Sequence, residues 1–83
     1  MPPISDAVRT IYIRKLEAIG IGMQAQASPI LTSHQKAAYQ AQYRRTIIQL
    51  EKSGMPAPHN LNEVKSLIEM LGGATGGRPV DYD

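Results

Sequence analysis

The residues best suited to chemistry in this chain are its two histidines and a few carboxylates. His34 and His59 are not spaced as ligands one helical turn apart, and the sequence has no cysteine to supply a thiolate. Glu63 and Glu69 point to different sides of a helix, so they do not form a pair for acid–base catalysis. No nucleophile–base motif accompanies them. We therefore expect a protein that is not an enzyme and that has no metal and no cofactor.

A glycine-rich stretch, GGATGG at residues 72–77, lacks the context of a phosphate-binding loop. Such a loop follows a strand, precedes a helix and carries a lysine. Here the glycines follow a predicted helix and lead into residues 78–83. We therefore expect a helix stop followed by a tail.

The clearest binding chemistry lies in HQKAAYQAQYRRTIIQL, residues 34–50. Between Ser33 and Gly54, four lysine and arginine residues stand against the single Glu51, a local net charge of +3, whereas the whole chain carries +2. Basic side chains neutralise phosphates, and glutamine can hydrogen-bond to base edges. These properties define a candidate basic patch of Lys36, Gln40, Arg44 and Arg45.

The same stretch has an alternative interpretation as an ordinary packed helix. Tyr39, Tyr43, Ile47 and Leu50 follow one another at helical spacing and so share one face. This spacing favours tyrosines that point inward, with the basic residues covering the solvent side. Nucleic acid is therefore a possible partner but less expected than a protein.

Hydrophobic periodicity predicts three helices that position these residues. The first should run from Ile4 to Gly20, with Ser5 or Asp6 as its N-cap and Gly20 as a left-handed stop. A linker at residues 22–32 follows it. The inward face of this helix should contain Ile4, Val8, Ile11, Tyr12, Leu16 and Ile19.

The second helix should span about Ser33 to Ser53, after a capping box of Thr32 and Gln35 and before Gly54. The third should begin after an Asn60 cap and stop at residues 72–73. Its apolar stripe comprises Leu61, Val64, Leu67, Ile68 and Leu71. The short connection predicts that the second and third helices are antiparallel neighbours.

The sequence thus predicts an all-α fold, a small three-helix domain at residues 1–73 with an extended C-terminal tail at 74–83, flexible or bound to a partner. A domain of this size buries only about 60% of its unfolded surface. The chain has no Cys, Phe or Trp to enlarge or cross-link its core. Because such domains often depend on association, we expect a protein partner or self-association. The candidate partner-binding residues are Ile13, Met70, Arg78, Val80 and Tyr82.

The N-terminus has no basic region followed by an apolar run, and no segment reaches the ~20 apolar residues of a membrane span. We expect no membrane contact and a cytoplasmic location, or a virion if the protein is phage-encoded.

In general outline the whole chain resembles small helical accessory proteins of phage particles and small assembly subunits. We interpret it as a non-enzymatic interaction or structural protein, an accessory subunit or a homo-oligomer. The alternative is a small nucleic-acid-binding or regulatory protein that uses the helix at 33–53.

Overall fold

The computed structural model of the chain describes residues 5–72. Within this range there are three helices, α1 at Asp6–Ala25, α2 at Ser33–Lys52 and α3 at Leu61–Met70, and no strand. The predicted all-α class with three helices is confirmed. Residues 1–4 and the predicted tail at 74–83 lie outside the described residues.

Local capping sets the beginning of each helix. The Ser5 hydroxyl accepts a hydrogen bond from the Val8 amide at 3.2 Å. Before α2, Thr32 and Gln35 form the predicted reciprocal capping box, at 2.9 and 3.1 Å. Before α3, the Asn60 side chain accepts from the Glu63 amide at 2.9 Å. These caps satisfy amides of the first turn that have no partner within the helix.

Glycine ends two of the helices. Gly54 follows α2 with a φ of 76°, and Gly72 follows α3 with a φ of 73°. Both values lie in the left-handed region, where a side chain would be strained. The predicted stops of the second and third helices are therefore confirmed.

The predicted end of the first helix at Gly20 is wrong, because α1 continues through Gly20 and Gly22 to Ala25. Neither glycine forms a turn; both lie where a neighbouring helix comes close, and Gly22 has no space for a side chain unless Tyr43 moves. A Cβ atom at Gly20 would lie 3.3 Å from Cγ1 of Val64, and one at Gly22 would lie 2.7 Å from Cδ2 of Tyr43. The two glycines allow α3 and α2, respectively, to approach α1 closely.

α1 is the central helix, and both other helices pack against it. Gln26 donates to the Lys36 carbonyl at 3.0 Å, and Lys15 donates to the Gln49 side chain at 3.3 Å, so α2 runs antiparallel to α1. No Cα atoms of α2 and α3 lie within 8 Å of each other. The prediction that these two helices are neighbours is therefore wrong.

The connection at residues 53–60 explains this arrangement. The Tyr12 hydroxyl of α1 donates to the Pro56 carbonyl, and Pro58 is fully buried. The connection is thereby held on α1, and it leads the chain from the end of α2 to a position beside α1 at which no Cα atom of α3 lies within 8 Å of α2. α3 then runs antiparallel to α1, since Val64 meets Gly20 and the Leu71 carbonyl accepts from Arg9 at 3.4 Å.

The buried core is small and centred on α1. It consists of Tyr12, Leu16, Ile19, Leu50 and Val64. The predicted inward face of α1 is wrong at its N-terminal end, where Val8 and Ile11 are 45% and 55% exposed. The apolar face instead continues from Ile19 to Met23, because α1 is longer than predicted and its contacts extend toward its C-terminus.

Candidate interaction surfaces

Exposed apolar side chains concentrate along one side of the α1·α2 hairpin, which we call the hairpin face. On α1, Ile11, Lys15, Ala18 and Gly22 follow at helical spacing and line two adjoining grooves. The larger groove has a volume of about 510 Å³ and the smaller about 130 Å³. The exposed apolar residues that border them are Val8, Ile11, Ile21 and Tyr39.

The charged residues among those that line the two grooves are all positive. Lys15 and Lys52 border the larger groove, and no carboxylate is among the described residues that line either groove. Outside the grooves, Arg14 and Glu17 are exposed on the same side of α1, seven and four residues before Ile21, so Lys15, Lys52 and Arg14 outweigh one carboxylate. This face is therefore apolar in its centre and basic at its edges.

Tyr12 forms part of the floor of the larger groove. Its side chain is buried, and its hydroxyl donates to the Pro56 carbonyl. Burial raises the pKa of Tyr12, because the phenolate would lose its hydration. The phenol therefore stays neutral at physiological pH and acts as a hydrogen-bond donor in the fold.

A second surface, which we call the α2–α3 cleft, opens where those two helices do not touch. It encloses about 710 Å³, with Met23 of α1 as floor and Leu61 on the α3 side. The α2 side presents Tyr43, Ile47 and Ile48, and Ile48 is 50% exposed. The polar residues that line the cleft are Gln26, Arg44, Glu51, His59 and Asn60.

The predicted basic patch is only partly brought together. Lys36, Gln40 and Arg44 occupy three successive turns of one side of α2, whereas Arg45 points about 100° away from Arg44. Lys36 and Gln40 are half-buried, and both arginines are exposed. Within residues 5–72 the one ion pair joins Arg9 and Asp6 at 3.0 Å, so neither arginine has a carboxylate partner there.

The predicted partner-binding residues fall in different places. Ile13 is half-buried on α1, and Met70 at the end of α3 is 80% exposed. The remaining three, Arg78, Val80 and Tyr82, lie outside the described residues. Sequence reasoning missed the exposure of Val8, Ile11 and Ile48, although each lies in a helix with more apolar residues than one buried face can hold.

The two histidines are both exposed. His34 lies in the first turn of α2, and His59 precedes the Asn60 cap and donates its backbone amide to Glu63 at 2.6 Å. Among residues 5–72 no three His, Cys, Asp or Glu side chains are grouped as a metal site would require. None of the helices described has both the length and the apolar character needed to cross a bilayer.

Comparison of the chain with protein-family models, with curated proteins and with solved structures found no match in any of the three.

Proposed function

We propose that the protein is a non-enzymatic interaction protein that binds a protein partner through its hairpin face. The observation that supports this is the run of exposed apolar residues along two adjoining grooves, whose charged lining residues within 5–72 are lysines. Exposed apolar residues that cluster, rather than scatter, usually belong to an interface. This role is that of an accessory or assembly subunit of a larger complex.

The energetic argument depends on the apolar area that remains exposed. Val8, Ile11 and Ile21 each keep about half of their surface in water. Full burial of such a side chain contributes about 1.5–3 kcal/mol, so burial of the exposed half contributes on the order of 1 kcal/mol apiece. The concave grooves between these residues can receive side chains of a partner helix, as in helix-in-groove recognition.

The charges on the hairpin face specify the chemistry of the partner. Lys15, Lys52 and Arg14 lie around the apolar residues. A partner with complementary charge would present an apolar stripe flanked by Asp or Glu, which speeds association and fixes its orientation. We therefore infer that the partner offers an acidic amphipathic helix.

Nuclear magnetic resonance of the labelled protein tests this proposal, with two designed amphipathic peptides as probes. Both peptides present leucines on one face, and the opposite face carries glutamates in one and lysines in the other. The acidic peptide should shift the amide signals of Ile11, Lys15, Ile21 and Tyr39, and the basic peptide should not. Equal binding of both peptides would contradict the proposed charge recognition.

Two variants locate the binding site. Ile11→Glu places a charge in the hairpin face and should abolish binding of the acidic peptide. Met70→Glu makes a similar change at an exposed apolar residue at the end of α3 and should leave binding unchanged. If both variants bind like the unmodified protein, the hairpin face is not the site.

A second candidate function is nucleic-acid binding by α2, which is favoured by the exposure of Arg44 and Arg45 without a carboxylate partner in residues 5–72. Phosphate binding weakens steeply with salt because it releases counterions. Fluorescence anisotropy with a labelled oligonucleotide at several salt concentrations tests it. Salt-sensitive binding that is lost in Arg44→Glu and Arg45→Glu would support this function over the first.

A further inference from the structure

The α2–α3 cleft differs from the hairpin face in its charges, and this difference indicates another occupant. Around the cleft, Arg44 and Glu51 lie on the same side of α2, two turns apart. Both are exposed, and neither forms an ion pair within residues 5–72. The cleft thus presents one unpaired cation and one unpaired anion on either side of an apolar centre.

These residues are arranged symmetrically along α2. Arg44 comes three residues before Ile47, and Glu51 comes three residues after Ile48. If a second α2 lies antiparallel and the two-fold axis passes between Ile47 and Ile48, each arginine faces the glutamate of the other copy. Two-fold interfaces have this reciprocal property, because each surface must complement itself.

We propose that two copies of the chain pair through the α2–α3 cleft about this two-fold axis. The exposed half of Ile48 would be covered by the isoleucines of the second copy, and Arg44 and Glu51 would form two equivalent ion pairs. The second copy would also bury apolar residues that line the cleft, namely Met23, Tyr43, Ile47 and Leu61.

Two observations favour a second copy over a different partner. The cleft is self-complementary in charge, whereas the charged residues that line the grooves of the hairpin face, Lys15 and Lys52, are both cations and would repel those of a second copy. Among residues 5–72, the core cluster of the single chain also consists of only five buried apolar residues. A small domain without cross-links gains stability from association, and the half-buried residues beside the cleft are available for it. This inference concerns a separate surface and does not depend on the proposed function of the hairpin face.

Sedimentation equilibrium of the full chain tests the proposal through charge reversal. The unmodified protein should dimerise. Arg44→Glu and Glu51→Arg should each weaken dimerisation by about tenfold or more, since each replaces both ion pairs by like charges. The variant that carries both changes should dimerise again, because it restores the pairs in reverse.

An equimolar mixture of the two single variants provides the sharpest result. One chain then presents two acidic groups and the other two basic groups, so they should form a heterodimer although neither pairs with itself. Recovery of pairing in the mixture shows that both chains can adopt the fold, so it attributes the loss in each single variant to the charges of the interface. Circular dichroism of each variant checks the helix content directly.

Arg45→Glu is the matched control, with the same change of charge at an exposed neighbour that points away from the cleft. It should leave the dimer unchanged, and Ile11→Glu on the hairpin face should do the same. The proposal is overturned if the unmodified protein stays monomeric, if the double variant and the mixture fail to pair, or if either control dissociates the dimer. Peptide binding at the hairpin face is a separate measurement, so either proposal can fail alone.

Discussion

The two interfaces of α1 differ in how closely the helices approach. In each, a side chain of the neighbouring helix lies close to a glycine of α1, Gly22 toward α2 and Gly20 toward α3. A Cβ atom would lie 2.7 Å from the Tyr43 ring in the first case and 3.3 Å from Val64 in the second. The α1·α2 interface therefore has no room for a methyl group, whereas a shift of a few tenths of an ångström would make room in the α1·α3 interface.

Helix length and hydrogen bonding also favour the α1·α2 interface over the α1·α3 interface. α1 and α2 have 20 residues each and are joined by two side-chain hydrogen bonds, one beside the loop at Gln26 and one halfway along α1 at Lys15, whereas α3 has 10 residues. The hydrogen bond from Arg9 to the Leu71 carbonyl, at 3.4 Å, holds the end of α3. The α1·α2 hairpin is thus the more firmly packed part of the fold. Both candidate surfaces include residues of α2.

Gly22→Ala should have the largest effect of the changes considered for this comparison. Overpacking costs about 1–3 kcal/mol, and the short distances of 2.7 and 3.0 Å to Cδ2 and Cβ of Tyr43 favour the upper part of this range, about 2–3 kcal/mol. The better helix propensity of alanine returns about 1 kcal/mol. The free energy of unfolding should therefore fall by roughly 1–2 kcal/mol. Urea unfolding followed by circular dichroism measures this change. An unchanged or higher midpoint would show that the Tyr43 ring moves aside without cost.

Much of the fold follows from local signals in the sequence. The Thr32 and Asn60 caps and the Gly54 and Gly72 stops each act within a few residues, so the bounds of α2 and α3 could be predicted. The role of Gly20 could not be predicted from the sequence. A glycine that ends a helix and a glycine that admits a neighbouring helix look alike in sequence, because the difference depends on contacts with distant residues such as Val64.

The candidate surfaces could be predicted less well than the helices. α1 carries apolar residues on several sides, and its buried side depends on where α2 and α3 lie. Val8 and Ile11 therefore belong to the predicted stripe and yet remain exposed. The order of Arg44, Ile47, Ile48 and Glu51 is visible in the sequence, but the cleft beside them exists only because the connection at 53–60 separates α2 from α3.

The Tyr12 hydroxyl should make a contribution of intermediate size to the free energy of unfolding, and this contribution should depend on pH. Its pKa is raised by burial, so the folded state holds the phenolic proton more tightly than the unfolded state. Its contribution to stability is therefore fully present below about pH 10, the ordinary value for tyrosine, and is lost as the pH rises through the folded pKa. Urea unfolding at pH values from 8 to about 11 should show this loss.

Tyr12→Phe separates this effect from general alkaline unfolding. The variant loses the hydrogen bond to the Pro56 carbonyl, about 0.5–1.5 kcal/mol at neutral pH, and should show a shallower decline of stability above pH 10. Tyr39→Phe, at an exposed tyrosine of α2, is the matched control and should keep the steeper decline. Parallel curves for the unmodified protein and Tyr12→Phe would contradict the role of Tyr12.

Gly20→Ala should have the smallest effect and should differ in sign from Gly22→Ala. The added methyl meets Val64 at 3.3 Å, and the short α3 can shift to relieve this contact. The gain in helix propensity, about 1 kcal/mol, should then offset or exceed the cost, which leaves the unfolding midpoint unchanged or slightly higher. In a Val64→Ala background the contact is absent, so Gly20→Ala should stabilise by nearly the full amount. Gly20→Ala could instead lower the free energy of unfolding as much as Gly22→Ala does, both in the unmodified protein and in Val64→Ala. That result would mean that the α1·α3 interface is packed as tightly as the α1·α2 interface and that α3 cannot shift.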